Sequence, residues 1–346
     1  MVNQSDLPFR ILVRRHGATT AYTQMYIPER LLNDQEYLEY HIRDLTAAGE
    51  DETSRPVVVQ LCGNDPELVV QAGKKVQGYC DAIDINLGCP QEAARDGHFG
   101  AYLLGQKDWD LVENIVSSMS HSFTVPVSAK MRLCQPAPKT LALAERLEAA
   151  GASWITLHAR TVSSRRRRQG AADLSEVKRL KDHLRIPVIS NGNVRTYDDL
   201  QANLEYTGAD GLMVGETLLG NPRLFAGSYP LIDPVDVSLE YLAICKECPW
   251  TNLSVIQTHI RHFVEFQCSR RPWFPKFRAA LGATKSLAMI EHLLKGKVEK
   301  WRGRPPRYTH HSTDDSHFES DESLSQSADD MESGVDNLEA SLNQLF

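Results

Sequence analysis

The stretch PVSAKMRL (126–133), KTLALAERLEAAGA (139–152) and WITLHAR (154–160) decides the fold. Two short apolar runs flank a segment whose apolar residues recur at helical spacing and which ends on Gly151, so it reads strand, helix, strand. The same unit recurs outward in both directions. Further apolar runs are TTAYTQM (19–25), PVVVQLCG (56–63), AIDINLGC (82–89), PVISNGN (187–193) and GLMVGETLL (211–219). PELVVQAGKKVQGY (66–79) and TYDDLQANLEYTGA (196–209) are helical stretches between them. Such alternation implies a parallel sheet. Seven strands between residues 19 and 229 suit a TIM-type (β/α)8 barrel better than an open sheet. The chain opens on Met1, Val2, a turn-like NQSD and a helical PFRILVRRHG (8–17). An eighth strand would have to end at Val2, so it is largely missing, and its two neighbours are expected to have unpaired edges.

Composition bounds the rest. The 346 residues are 42% hydrophobic and 24% charged, enough for a sizeable core. No apolar run reaches the about 18 residues of a membrane helix, and MVNQSDLPFR lacks the apolar stretch of a secretory signal. Seven cysteines without a disulfide spacing suit a reducing compartment. The net charge of −7 is uneven: residues 305–346 hold ten acids and one base, which leaves the body at +2. That tail, serine-rich and poor in aromatics, is expected to be disordered. Its last stretch, VDNLEASLNQLF (335–346), spaces its leucines as a short amphipathic helix would. The domain reading is a barrel over 1–229, a small all-helical domain over 230–304, and the acidic tail over 305–346. Within the helical part, basic and aromatic residues interleave (Arg270, Arg271, Trp273, Phe274, Lys276, Arg278). Residues 277–301 read as one helix, and 230–236 as a linker.

In a βα barrel the site lies at the C-terminal strand ends. The residues there are Gln60, Asn86 with Cys89, Lys130, His158 with Arg160, Asn191-Gly192-Asn193 and Gly215-Glu216. Gly88 and Pro90 bracket Cys89 in a tight turn, which presents the thiol at the mouth. A lysine inside PVSAKMRL calls for an anionic partner. The loops after the last two strands suit a phosphate group. Asn86 and Arg160 are placed to meet a substrate, and Arg165, Arg166, Arg167 and Arg168 read either as a solvated loop or as contacts to nucleic-acid phosphates. Cys245-x-x-Cys248 with His259-x-x-His262 sits in helical patterns with a histidine spacing too short for a zinc finger, so no metal site is expected.

DAIDINLGCPQ (81–91), VSAKMRL, ITLHART, ISNGNV and GADGLMVGETLLGNPRLF, in this order and spacing, resemble the tRNA-dihydrouridine synthases. SDLPFR, YTQM and VVVQLCGNDPE match too, so the resemblance covers about residues 1–302. It is strongest toward the eukaryotic branch acting on D-loop uridines 16 and 17. The resemblance implies a barrel plus helical domain, FMN at the mouth, NADPH as reductant and tRNA as partner. By motif, Cys89 would protonate uracil C5 while hydride goes to C6, a role open to a thiol of ordinary pKa, about 8.5. Gln60 and Lys130 would contact the isoalloxazine ring and His158 would lie beside flavin and substrate. Asn191, Gly192, Asn193, Gly215 and Glu216 would hold the phosphate, and Met1 and Val2 would border the flavin. The chain departs from the pattern at Ala159, where Gly is usual, and at Glu216, where many members have Arg. The rival readings are a flavin barrel acting on a free pyrimidine, and a catalytically impaired RNA-binding homologue. A monomer in the cytoplasm, with the nucleus also open to it, completes the expectation.

Overall fold

The computed structural model describes residues 3–46, 54–163, 170–227 and 231–308. All seven expected runs are strands: β1 (Ala21–Tyr26), β2 (Val57–Leu61), β3 (Ala82–Leu87), β4 (Val127–Arg132), β5 (Trp154–His158), β6 (Val188–Asn191) and β7 (Gly211–Met213). They form one parallel sheet in chain order, each paired with the next. The sheet curls on itself. Trp154 on β5 donates its indole N–H to the Tyr22 hydroxyl on β1 at 3.0 Å. In a flat sheet, strands four apart would lie about 19 Å from each other. This is TIM-barrel architecture with a seam: among the described residues no ladder joins β7 to β1.

Helices cover the outer face. Ile83, Ile85 and Leu87 of β3, Ala129 and Met131 of β4, and Ile155 and Leu157 of β5 pack under Val69, Val112, Ile115, Leu143 and Leu147. Each fully buried aliphatic side chain of this kind stabilises by about 1.5–3 kcal/mol. Local signals set the ends. Asp65 caps helix Pro66–Val76 by accepting from the Glu67 and Leu68 N–H groups. Thr196 and Asp199 form a capping box on helix Tyr197–Thr207, and Gly208 closes it at φ +65°.

The inner face is polar because side chains alternate along each strand. Register sets Gln60 beside Asp84 and Asp84 beside Ser128. Two residues further along lie Asn86 and Lys130, and beyond them Arg132, His158 and Asn191.

Helices Pro234–Glu247, Leu253–Cys268, Phe274–Gly282 and Leu287–His292 follow the sheet. Their core is continuous with helix Leu7–Arg15 and with Leu218 and Leu219 beyond β7. Two expectations change here. The helix begins at Pro234, inside the expected linker, because Asp233 caps it by accepting from Val235 N–H at 2.9 Å and proline suits the first helical turn. The single helix expected over 277–301 breaks after Gly282, where Gln257 donates to the carbonyls of Leu281 and Thr284 at 3.0 Å. Ser286 then caps a new helix, and a π-helical turn at Leu293–Val298 precedes Glu299–Trp301. The acidic tail beyond residue 308, with its leucine-spaced end, lies outside the described residues. No described helix is long and apolar enough to cross a membrane.

Candidate functional site

Parallel strands place all their C-terminal ends on one side of the sheet. Cys89 sits there in the loop after β3, half-buried, while the other six cysteines are buried. The Asn86 side-chain oxygen accepts from the N–H groups of Gly88 and Cys89, both at 2.9 Å. Arg132 of β4 donates to the Gly88 carbonyl at 2.9 Å and to the Thr161 carbonyl at 3.0 Å. The Cys89 carbonyl accepts from Ala101 N–H at 3.0 Å, and the Tyr102 hydroxyl donates to the Pro90 carbonyl at 3.1 Å. The thiol faces the Gln91 side-chain oxygen at 3.7 Å.

Under this loop lies a chain of buried amides. Asn86 donates from Nδ2 to Gln60 Oε1 at 2.8 Å, and Gln60 donates from Nε2 to Asp84 Oδ2 at 2.8 Å. The other Asp84 oxygen accepts from the Ser128 hydroxyl at 2.6 Å. Burial pushes the Asp84 carboxyl up to about 7, against the hydrogen bonds from Ser128 and Gln60 and the charge of Lys130. Burial, reinforced by Arg132, pulls Lys130 down to about 8, against the attraction of Asp84 and Cys89. Asp84 is thus an acid whose charge acts on Lys130 within the fold.

The adjoining wall, on β5 next to β4, is built around His158. Its Nε2 accepts from Arg160 at 3.0 Å, and Arg160 also donates to Asn193 Oδ1 and to the Gly170 carbonyl, both at 3.1 Å. Burial first, then the charges of Lys130, Arg132 and Arg160, hold the imidazole far below its ordinary pKa, so it is neutral. Asn193, at φ +58°, clasps Ala172 through both its amide atoms at 2.8 Å. Gly192 is at φ +132°, and a Cβ there would lie 2.7 Å from that of Ala172. Asn191 donates to the Met213 carbonyl at 2.7 Å, tying β6 to β7. Gly215 caps the short helix Glu216–Gly220 that follows β7, with Glu216 exposed.

Gln60, Asn86, Cys89 and Lys130 therefore form one wall, and His158, Arg160 and Asn193 another. Asn86 and Arg160 have their polar atoms engaged within the fold. Met1, Val2 and Arg165, Arg166, Arg167 and Arg168 lie outside the described residues. Sequence reasoning passed over Asp84, Ser128, Arg132 and Gly100. A signal existed for Asp84: in AIDINL it stands two residues before Asn86, hence on the same strand face. Within the Cys245 to His262 stretch, His259 lies against Asp6 at 2.7 Å between Nε2 and Oδ1.

Residues 1–298 match the family model described as dihydrouridine synthase (Dus). The chain belongs to the dihydrouridine synthase family. It is 38% identical over 260 residues to the Mus musculus protein named tRNA-dihydrouridine(16/17) synthase (NAD(P)(+))-like, covering 75% of this chain and 53% of that one. It is also 38% identical over 302 residues to the tRNA-dihydrouridine(16/17) synthase (NAD(P)(+)) of Saccharomyces cerevisiae, covering 84% of this chain and 69% of the relative. To the human tRNA-dihydrouridine(20a/20b) synthase (NAD(P)+)-like protein it is 34% identical over 252 residues, with coverages of 69% and 75%. The chain spans between about half and two thirds of the length of the 16/17 synthases it matches.

Proposed function

We propose that this dihydrouridine synthase family member reduces uridine to 5,6-dihydrouridine in the D-loop of tRNA, at positions 16 and 17. The observation that carries the reading is the presentation of Cys89: a single half-buried thiol, pinned at its backbone by Asn86, at the mouth of a barrel that also holds Lys130. Reduction of the uracil double bond needs a hydride at C6 and a proton at C5. FMN, recharged by NADPH, supplies the hydride when bound.

The residues present fit that cofactor. The Lys130 ammonium offers a positive charge to a group that carries negative charge. Gln60 keeps an amide N–H beyond the one given to Asp84. His158, neutral with Nε2 occupied, keeps an Nδ1–H to donate. Gly192 and Gly215 lie half-buried in the two loops suited to a phosphate. Cys89 holds the proton for C5 on Sγ. A uridine in tRNA reaches such a site only by leaving its stack, and the basic, aromatic helices and the arginines of residues 165–168 are the surfaces that would hold the RNA.

The test is Cys89→Ala with two readouts. Dihydrouridine formation on unmodified tRNA should fall about 10²- to 10⁴-fold, while the purified variant keeps its flavin absorbance. Turnover at the normal rate overturns the assignment of Cys89. A wild-type chain that binds tRNA without flavin would instead support the impaired homologue, and reduction of free uridine as fast as tRNA would support the free-pyrimidine reading.

A further inference from the structure

Asp84 is fully buried in the middle of β3, away from the strand end where Cys89 works. It touches neither the thiol nor solvent, yet both its oxygens are engaged, by Ser128 at 2.6 Å and by Gln60 at 2.8 Å. An ionised carboxylate only accepts hydrogen bonds. The amide of Gln60 must therefore turn its N–H to Asp84 and its oxygen to Asn86. The amide of Asn86 must in turn give its N–H to Gln60 and keep its oxygen for the N–H groups of Gly88 and Cys89. Each amide could be rotated by a half-turn at little steric cost, and rotation of either would set donor against donor or acceptor against acceptor.

We propose that Asp84 is a positioning residue, whose acceptor-only carboxylate sets the direction of the Gln60–Asn86 amide chain and so fixes the backbone of Cys89 at the barrel mouth. The part Cys89 plays in reduction rests on the function proposed above; the ordering of its loop by Asp84 stands apart from it. Burial supports the arrangement, since a carboxylate in this setting has no water to compete for its two donors. Lys130 of β4 and Tyr22 of β1 are the other ionisable groups that face it.

The direction of the chain can be reversed by moving the carboxylate two residues along the same strand face. Asn86→Asp alone puts an acceptor-only group at both ends, so Gln60 can satisfy only one of them. Adding Asp84→Asn restores consistency. Asn at 84 would accept from Ser128 and donate to Gln60, Gln60 would donate to Asp at 86, and the latter would still accept from Gly88 and Cys89. The double variant, like the wild type, keeps one carboxylate on this strand face near Lys130, so the charge count of its interior is that of the wild type.

The experiment is hydrogen–deuterium exchange of the Gly88 and Cys89 amides at about pH 8.5, above the value of about 7 to which burial takes Asp84. Asn86→Asp should cut protection of these amides about tenfold or more, the scale of one lost hydrogen bond. The double variant should return to within about threefold of wild type. Protection in the double variant no better than in Asn86→Asp overturns the proposal, as does an unchanged Asn86→Asp. Should Asn86→Asp not accumulate as folded protein, a soluble, protected double variant supports the proposal and an insoluble one overturns it. This readout needs neither flavin nor tRNA, so it holds or fails independently of the proposed reaction. Where that reaction is present, turnover should follow the same order.

Discussion

Gly100 lies directly against Cys89: a Cβ at Gly100 would stand 2.9 Å from the Cys89 carbonyl oxygen and 3.0 Å from its Cβ. Gly100 is also at φ +64°, where any other residue is strained. The loop after Cys89 returns across the mouth at this glycine, and the next residue, Ala101, is the one that holds the Cys89 carbonyl. Gly100→Ala should therefore cost about 1–2 kcal/mol from the left-handed backbone, with the close contact adding to it. Because the atoms it strikes belong to Cys89, turnover should fall more than stability does, with flavin content unchanged. Thermal unfolding and a single-turnover assay check this. Wild-type turnover in the variant would show that the position of the Cys89 loop is not limiting.

A second prediction concerns acid. The fold holds His158 neutral, and burial likewise takes His41 down to about 3, with Arg10 and Arg30 adding to the effect. A histidine whose folded pKa is depressed binds fewer protons in the folded than in the unfolded chain below about pH 6.5. Stability must then fall as pH drops through that value, by about 1.4 kcal/mol per unit for each such group. His158→Gln can still accept from Arg160 through its side-chain oxygen and has no proton to bind. Its stability should be less steep between about pH 6.5 and 4.5 than that of wild type. Urea unfolding at several pH values measures the two slopes, and equal slopes would mean that His158 titrates as it does in water.

The third prediction concerns the strap after the last helix. Arg302 grips Asp233 with both terminal nitrogens, at 2.8 and 2.6 Å, while Arg304 joins on the same carboxylate and Arg307 on both Asp233 and Asp236. Burial works to raise the Asp233 carboxyl, but the hydrogen bonds from Arg302, Val235 and Arg304 outweigh it and hold it well below the usual carboxylate range. A carboxylate depressed in this way stabilises above the unfolded pKa of about 4 and loses that effect as pH falls through the folded value. Asp233→Asn should destabilise by about 1.5–3 kcal/mol at neutral pH, and the difference should narrow below about pH 4. A gap that stays constant with pH would assign the loss to the helix cap alone.

How much of this was legible in the sequence follows from the range of the interactions. The strands could be read because β2, VVVQL, is a short β-branched run buried along its whole length, and the helices because caps such as Asp65 and Thr196 are local. The strand-end rule found Gln60, Lys130 and His158 without knowledge of register. It missed Asp84, whose partners are 24 and 44 residues away and are chosen by strand pairing. Asn86 and Arg160 were read as free to meet a substrate, because nothing near them in the chain announces that Gln60, Asn193 and Gly170 take up their polar atoms. The break after Gly282 was hidden for a similar reason, since the carbonyls freed there are satisfied by Gln257 from another helix.

The last prediction addresses what joins the start of the described chain to its helical end. Asp6 is buried between two helices that lie more than two hundred residues away: His259 Nε2 is 2.7 Å from Oδ1, and the Tyr241 hydroxyl donates to Oδ2 at 2.9 Å. Burial works to raise the Asp6 carboxyl, but the His259 charge and the two side-chain hydrogen bonds outweigh it and keep it below its ordinary value. Phe9 stacks on the His259 ring at a centroid distance of 4.4 Å and closes the site. Asp6→Ala would strand His259 and the Tyr241 hydroxyl without their acceptor, a loss of about 3–5 kcal/mol for a buried pair broken on one side. Replacing the histidine as well, by His259→Phe, removes one of the orphaned groups and keeps a ring against Phe9. The double variant should therefore be destabilised by less than the sum of the two single changes, by about 1–3 kcal/mol of coupling. Urea unfolding of the four proteins gives the cycle. Strict additivity would mean that Asp6 and His259 act separately, and that the N-terminal turn is held against the helices by the apolar packing of Leu7, Phe9 and Leu12 alone.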